Sequence, residues 1–513
     1  MYNLAQKLVS AAKHEAGLIY YLDQRITREQ LIKASIKISS KLQEYGFEAD
    51  QRILLLLHDH PTFMATFLAV LSYGGIPVPI NPKMGKENLT YILEDSRAVG
   101  VVVESSEFER VEECVLSSTY ISPSKIFVHG KQNGFESISF NESETKSNKP
   151  FKYYLKKGQS TSFWQYTSGT TGFPKAVQHT QDTMLKCFEY FAKGVLNLNS
   201  NDRIYSIPKM FFGYGLGNSL FFSLLSGATI LLDHEWPTPT RIVKNLREFK
   251  PTAFFGGPKV YQMLLEQTQL TKEDFKDVRI CFSAGTYLTE KLNKAWESRF
   301  NVSIIDGIGS TEIGHVFLTN KPGKVQYGVT GKKIKGYEVK ILNNEGHTVK
   351  FGEVGNLYVK PPYISQGYWE NSQVTMQKFK DGWYNTQDLF SQDEKGNFYY
   401  QGRSNDTFKV NGQWVVPSQV ENLIYEEYDI VECALVNQTN LEGISSCVLF
   451  YQASDLAISQ NLENTFKEYL KGKVKSYMIP QAVFRIESFP KNDNGKTIRN
   501  RLISIPQLLQ TAE

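Results

Sequence analysis

The sequence has no apolar run long enough to cross a bilayer. Its longest apolar region, from Pro61 to Ile80, is broken by Ser72, Gly74, Gly75 and further prolines, whereas a spanning helix needs about 20 predominantly apolar residues. The opening MYNLAQKLVSAAKHEAG lacks the apolar stretch and small-residue cleavage site of a signal peptide. Cysteine is scarce: Cys114, Cys187, Cys281, Cys433 and Cys447 lie far apart with no Cys-x-x-Cys pair, which argues against a disulfide framework or a zinc ribbon and for reduced thiols in a cytoplasmic protein. Charge of one sign is also lacking, since 57 basic residues face 53 acidic ones for a net +4. That balance favours neither nucleic acid nor a polybasic membrane anchor as a partner. No internal repeat, low-complexity tract, Ser/His/Asp arrangement or paired-carboxylate motif is recognisable.

What is present is a long chain, 513 residues with 41% hydrophobic side chains, enough for two or more domains. Thr27 and Gln30 read as a capping box, followed by Leu31, Ala34, Ile38 and Leu42 at helical spacing up to Gly46. The strand-like run from Arg52 to His58, a helix from about Pro61 to Tyr73, and the strand IPVPI then predict strand, helix, strand in a parallel α/β sheet. The alternation returns at 204–207, 228–232 and 280–282. From about Val325 the texture turns to short alternating strands, and after Gly402 to a compact αβ unit. The expected fold is therefore α/β: a large N-terminal domain of layered parallel sheets, 1–402, with a β-rich subdomain at about 325–402, and a small α+β C-terminal domain, 403–513.

The segment TSGTTGFPK, residues 167–175, sets Thr167, Ser168, Gly169, Thr170, Thr171 and Gly172 ahead of Lys175. Glycines free the backbone to wrap an anion, hydroxyls donate hydrogen bonds and the lysine adds charge, which describes a phosphate cradle. Its spacing is not that of a Walker A loop, and the same residues also read as an ordinary turn. Taken alone, the Ser310-Thr311-Glu312 run reads as a helix cap, Asp388 as a turn former, 409–414 as a hairpin turn and Lys496 as a solvated lysine.

TSGTTGFPK resembles the defining loop of the adenylate-forming superfamily of acyl-CoA synthetases, aryl-acid ligases, peptide-synthetase adenylation domains and luciferases, and further segments match in order along almost the whole chain. The resemblance implies ATP, Mg²⁺ and CoA, or a carrier protein's phosphopantetheine, as cofactors and partners. It implies that Thr311 touches the α-phosphate, that Glu312 holds Mg²⁺, that Asp388 accepts the ribose hydroxyls and that Arg403 binds ribose or phosphate. Asn405 becomes the pivot of a mobile C-terminal domain, where the family commonly has Asp or Lys. Lys409, Gly412 and Trp414 line the thiol's path, and Lys496 enters the site for adenylation. Ile308 stands where the family usually stacks an aromatic residue on adenine. The Gly367-Tyr368-Trp369 stretch is read as structural.

FFGYGLGN with GIGSTEIGH is closest to the benzoate and 4-hydroxybenzoate CoA ligases. Phe212, Gly213, Tyr214, Gly256, Gly257, Gly285, Gly309 and His315 would then form a flat slot for an aromatic acid, widened by Gly213 and Gly314. The expected activity is ATP-dependent formation of an acyl-adenylate followed by transfer to CoA. The alternatives are an aryl-acid AMP ligase that loads a carrier protein, a medium-chain acyl-CoA synthetase, and, remotely, a non-catalytic nucleotide-binding protein.

Overall fold

The computed structural model describes residues 1–13, 17–140, 151–167, 173–363, 365–439, 445–453, 462–492 and 496–503. The capping box forms as expected, with Thr27 and Gln30 bonded reciprocally at the start of the helix Arg28–Glu44. The strand Arg52–Leu56 is followed by the helix Pro61–Ser72, in which every residue is buried. A helix apolar on all sides belongs inside a fold, not on its surface.

These elements open a five-stranded parallel sheet in the order Ile76–Pro79, Arg52–Leu56, Gly100–Glu104, Ile126–His129, Glu136–Ser137. The strand Ile76–Pro79 carries two prolines and ends the sheet. Ile76 and Ile80 donate inward to Gln51 and Leu55 at 2.8 and 3.0 Å, so Pro77 and Pro79 face away from the ladder, where a missing N–H costs nothing.

A second sheet has nine strands. Its parallel centre runs Ile304–Gly309, Ile280–Ser283, Ala253–Gly256, Arg203–Ser206, Thr229–Leu232, Leu18–Tyr21, with antiparallel strands at both ends. Its winding reverses between Arg203–Ser206 and Ala253–Gly256, and ligands of open α/β sheets bind beyond the strand ends at such a reversal.

Two antiparallel assemblies bring further segments toward it. The hairpin Thr161–Thr167 with Lys175–Thr180 pairs Thr167 directly with Lys175. The strands Glu338–Leu342, Gly355–Lys360, Trp383–Gln392 and Phe398–Arg403 form the β-rich part expected after Val325. Beyond Val410, two hydrophobic clusters consist only of residues between Val410 and Leu502, packed around the sheet Ile430–Thr439, Ser445–Ala453, Ala482–Arg485. All five cysteines are free and buried, and no helix among the described residues is long and apolar enough to cross a membrane.

His179, on the strand Lys175–Thr180, is fully buried and stacks on Phe163 at 4.6 Å. Neither of its ring nitrogens has a hydrogen-bond partner among the described residues. Burial pulls its pKa down to about 3. Between that value and the unfolded value of about 6.5 the native state binds fewer protons than the unfolded one, so stability rises with pH across this window. Replacing His179 by leucine is expected to shrink the stability difference between pH 7.5 and pH 5, measured by urea unfolding, by about 2 kcal/mol. Parallel profiles for the two proteins would refute the assignment.

Candidate active site

A cluster of charged side chains lies where the β-rich sheet meets the hairpin 161–180. Asp388 and Arg403 are direct partners across antiparallel strands, with Arg403 Nε 2.9 Å from Asp388 Oδ1. The pair is asymmetric. Asp388 is 4% exposed and burial raises its pKa against the opposing pull of Arg403 and a Thr386 hydrogen bond. The Arg403 side chain keeps 41% of its surface in solvent, and the Asp388 charge raises its pKa. The carboxylate therefore bears the desolvation cost, as the more buried partner of an ion pair must. Its Oδ1 is buried and accepts no hydrogen bond of good geometry among the described residues. The backbone just before it is bent: Gln387 has φ 60° and the Asp388 N–H donates to Thr386 Oγ1 at 3.1 Å.

Glu312 is the second buried carboxylate, 6% exposed. Tyr368 Oη donates to its Oε1 at 2.6 Å, and the Tyr384 hydroxyl also bonds to it. Tyr368 reaches Glu312 because 367–369 zips along the strand Lys175–Thr180: Gln178 N–H donates to Gly367 O at 3.0 Å and Trp369 N–H to Ala176 O at 2.9 Å. The Gly-Tyr-Trp stretch, read from sequence as structural, thus supplies a side chain that grips the site's carboxylate. Tyr368→Phe is expected to lower pyrophosphate exchange about 10- to 100-fold with the fold intact by circular dichroism, because a charge-assisted hydrogen bond is worth about 1.5–3 kcal/mol. Unchanged exchange would remove Tyr368 from the machinery.

Lys496 joins this group from the far end of the chain. The backbone on either side of it is clipped by a Lys491–Thr497 bridge, and Asn492 N–H donates to Lys496 O at 2.9 Å. Lys496 is exposed by surface area, yet enclosure by protein atoms and then the Arg403 charge lower its pKa, while Asp388, Glu312 and Asp406 act in the opposite direction. Lys378, which sequence reasoning missed, feels the same neighbours: burial lowers its pKa, Glu312 and Asp388 raise it, and Lys175 and Arg403 lower it. Its Nζ lies 5.6 Å from the Tyr368 ring.

Thr311 lies in the turn before Gly314, where its carbonyl accepts the Gly314 N–H at 3.0 Å, while the Ser310 hydroxyl caps the Ile313 N–H at 3.2 Å. The cap read from Ser-Thr-Glu is real, and it closes a turn instead of starting a helix. Ser168, Gly169, Thr170, Thr171 and Gly172 of the expected cradle lie outside the described residues, as do Asn494 and Gly495 before Lys496. Asn405 sits in the short 3₁₀ turn Ser404–Asp406 and is absent from the positive-φ residues. It accepts from Gln387 Nε2 at 3.4 Å. Lys409, Gly412 and Trp414 occupy a separate hairpin, in which Lys409 pairs with Trp414. Asn411 and Gly412 both have positive φ, as a two-residue type I′ turn requires. Trp414 is 54% exposed, and Lys409 Nζ lies 4.9 Å from its ring.

Several of the residues expected to form the slot lie near the reversal of the nine-stranded sheet. Tyr214 Oη donates to Phe282 O at 3.1 Å and lies 3.4 Å from Gly256 O, and His315 packs against Tyr214 at 5.7 Å. His315 is also wedged between Phe191 and Phe222, and burial takes its pKa down to about 3, so the imidazole is neutral. Phe212 packs against Phe211 with ring centroids 4.4 Å apart and the rings tilted by 55°. Gly257 faces the Ala284 carbonyl, Gly285 has φ 97°, and a Cβ on Gly309 would stand 2.6 Å from His315 O.

Two side chains here escaped the sequence reading. Gln165 Oε1 lies 3.1 Å from where a Gly213 Cβ would stand, and its amide Nε2 is buried without a hydrogen-bond partner among the described residues. Asp306 is half-buried by surface area, desolvation pushes its pKa well above the usual carboxylate range, and its charge bears on Tyr214 and Tyr287. Gly314 does not widen the slot as its identity suggested. A Cβ there would strike Thr183 at 2.7 Å, and φ is 92°, so glycine is required by the backbone and by the neighbouring helix.

An anthranilate–CoA ligase from Pseudomonas aeruginosa is 36% identical to this chain over 493 residues, 95% of this chain and 93% of that protein. A benzoate–CoA ligase from Thauera aromatica is 30% identical over 511 residues, 98% and 96% of the two. The crystal structure of an anthranilate CoA ligase in complex with anthranoyl-AMP superposes with a TM-score of 0.89 at 27% identity, covering 99% of this chain and 98% of that one. With residues 8–369 matching its model, the chain belongs to the AMP-binding enzyme family.

Proposed function

We propose that this enzyme activates a benzoate-type aromatic acid with ATP to an acyl-adenylate, releasing pyrophosphate, and then transfers the acyl group to the thiol of CoA. What supports the reading is that Glu312, Asp388 and Arg403 all act on the Lys496 charge, with Glu312 bonded to Tyr368 on the stretch that pairs with the strand carrying Lys175. The relatives' substrates, anthranilate and benzoate, point to the same acid class.

A carboxylic acid with a pKa of about 4 is already a nucleophile at neutral pH, so the site needs no general base. Its task is to align the carboxylate with the α-phosphorus and to neutralise phosphate charge. Asp388, a buried carboxylate ion-paired with Arg403, suits the ribose diol. Arg403, Lys175 and, during adenylation, Lys496 would supply positive charge, and Thr311 with residues 168–172 would cradle the phosphates. Glu312 fits a magnesium ligand, being a buried carboxylate oriented by Tyr368 and Tyr384, a hard oxygen donor of the kind this ion takes. Bound there with the nucleotide, the ion would neutralise charge on the phosphate oxygens.

We assign residues 403–513 as a mobile domain turning about Asn405 against 1–402. In the conformation described, Glu426 accepts the N–H groups of Glu290 and Lys291 at 2.8 and 2.9 Å, a carboxylate at a helix N-terminus, where negative charge is favoured. Lys409, Gly412 and Trp414 would be delivered to the thiol path by the rotation that withdraws Lys496.

Phe212, Gly213, Tyr214, Gly256, Gly257, Gly285, Gly309 and His315 frame the ring. The Gln165 amide beside Gly213 favours a ring bearing a polar substituent, such as an amino or hydroxyl group. Gln165→Leu is expected to lower selectivity for aminobenzoate over benzoate about 10-fold in kcat/KM, the worth of one hydrogen bond. Equal kcat/KM ratios in both proteins would take Gln165 out of the slot.

The test of the whole reading is mass detection of products from ATP and CoA with benzoate, amino- and hydroxybenzoates and medium-chain fatty acids. An aryl-CoA thioester is expected. A fatty acyl-CoA product would move the substrate class, and aryl-adenylate without thioester would point to a carrier protein as acceptor.

A further inference from the structure

The five-stranded parallel sheet has its own winding reversal. From Arg52–Leu56 the chain passes to one side, to Ile76–Pro79, and then returns to the other, to Gly100–Glu104. The crevice beyond the carboxyl ends of the strands at such a point is where open α/β sheets hold ligands. Three side chains with metal-ligating atoms meet there: His60 follows the first strand, Glu104 ends the next, and His129 ends its neighbour Ile126–His129.

His60 Nε2 lies 2.8 Å from Glu104 Oε2. The His60 and His129 rings are 4.1 Å apart between centroids, and one donor atom from each of the three residues falls within 4.8 Å of the others. His60 and Glu104 are 3% and 8% exposed. His129 Nδ1 sits 3.2 Å from Ile138 O; a carbonyl only accepts, so Nδ1 carries the proton and Nε2 the lone pair. That outer bond is the arrangement that orients metal-bound imidazoles. Two cavities flank the trio, one of about 120 Å³ touching His60 and His129 and one of about 370 Å³ touching all three together with His58 and His234. Four of the eight histidines in the sequence therefore gather at one crevice.

We propose that His60, Glu104 and His129 bind one divalent transition-metal ion of the zinc type, with an open coordination position toward the larger cavity. Two imidazoles and one carboxylate with a vacant fourth position form a donor set that zinc takes. Magnesium prefers oxygen ligands throughout, so this site is distinct from the one assigned to Glu312. Tetrahedral zinc with bonds of about 2.1 Å sets its ligand atoms roughly 3.4 Å apart, which the trio reaches by side-chain shifts of about 1 Å. At His60 the step is a substitution. Nδ1 accepts the Phe63 N–H at 3.4 Å, so Nε2 bears the proton that Glu104 accepts. On binding, that proton leaves to solvent and the lone pair goes to the ion. The ion would tie together the turn after one strand and the ends of two others.

The experiment is a Zn²⁺ titration of the untagged, metal-stripped full-length protein against a chromophoric chelator, with Co²⁺ absorption as a second readout. The expected result is one Zn²⁺ per chain, a melting temperature raised by Zn²⁺ but not by Mg²⁺, and visible Co²⁺ bands of low-symmetry coordination. Glu104→Gln and His129→Gln should each weaken Zn²⁺ at least about tenfold and abolish those bands. Glu104 also receives the His58 N–H at 3.3 Å; if its variant fails to fold, His129→Gln, which leaves the His60–Glu104 bond in place, decides the matter. No uptake by the unsubstituted protein, or uptake equally tight in the folded His129→Gln protein, would overturn the proposal and leave the trio as a hydrogen-bonded network.

Discussion

Replacing Lys496 by alanine is expected to lower acid-dependent ATP–pyrophosphate exchange about 10²–10³-fold, the usual cost of removing one preorganised charged contact from a transition state. The same variant, given preformed acyl-adenylate, should transfer the acyl group to CoA at close to the normal rate. The split follows from where Lys496 sits. Its charge is felt together with those of Arg403, Asp388 and Glu312, the groups proposed to hold the nucleotide and its metal ion, and it lies outside the 409–414 hairpin proposed to line the thiol's path. Equal loss of both half-reactions would sink the assignment of Lys496 to adenylation alone, and with it the rotation about Asn405.

Asp388→Asn should raise the KM for ATP about 10- to 100-fold, since it removes a charged hydrogen-bond acceptor worth about 1.5–3 kcal/mol. It keeps the side chain's volume, so kcat at saturating ATP should fall less than kcat/KM. The substitution also leaves Arg403 without its cross-strand partner. Arg403 retains solvent contact, so the loss of stability should be smaller than the roughly 3–5 kcal/mol expected when a fully buried pair is broken. Unfolding in urea beside the kinetics separates the two effects. A normal KM for ATP would remove Asp388 from the nucleotide site.

The sequence made the local parts of this account readable. Thr27 and Gln30 announce a helix start because a capping box is complete within four residues. The apolar run Arg52 to His58 announces a buried strand because parallel strands are covered on both faces. Asp388, Arg403 and Lys496 were legible only through resemblance, since a lone Asp, Arg or Lys carries no local signal. Tyr368, Lys378, Gln165 and Asp306 escaped because their roles are tertiary. Tyr368 meets a carboxylate 56 residues away, by way of a ladder between 367–369 and 176–178 that no periodicity encodes. Gly314 misled for the opposite reason: its identity suggested open space, while its positive φ and the close Thr183 methyl show that the backbone chose it.

The claim on which the rest depends is that this chain forms acyl-adenylates, and pyrophosphate exchange into ATP tests it most directly. With a substituted benzoate, ATP and Mg²⁺ and no CoA, the account predicts exchange that requires the acid and falls steeply in the Lys496→Ala protein. Absence of exchange with every benzoate and fatty acid offered, by a protein that is folded, would contradict it.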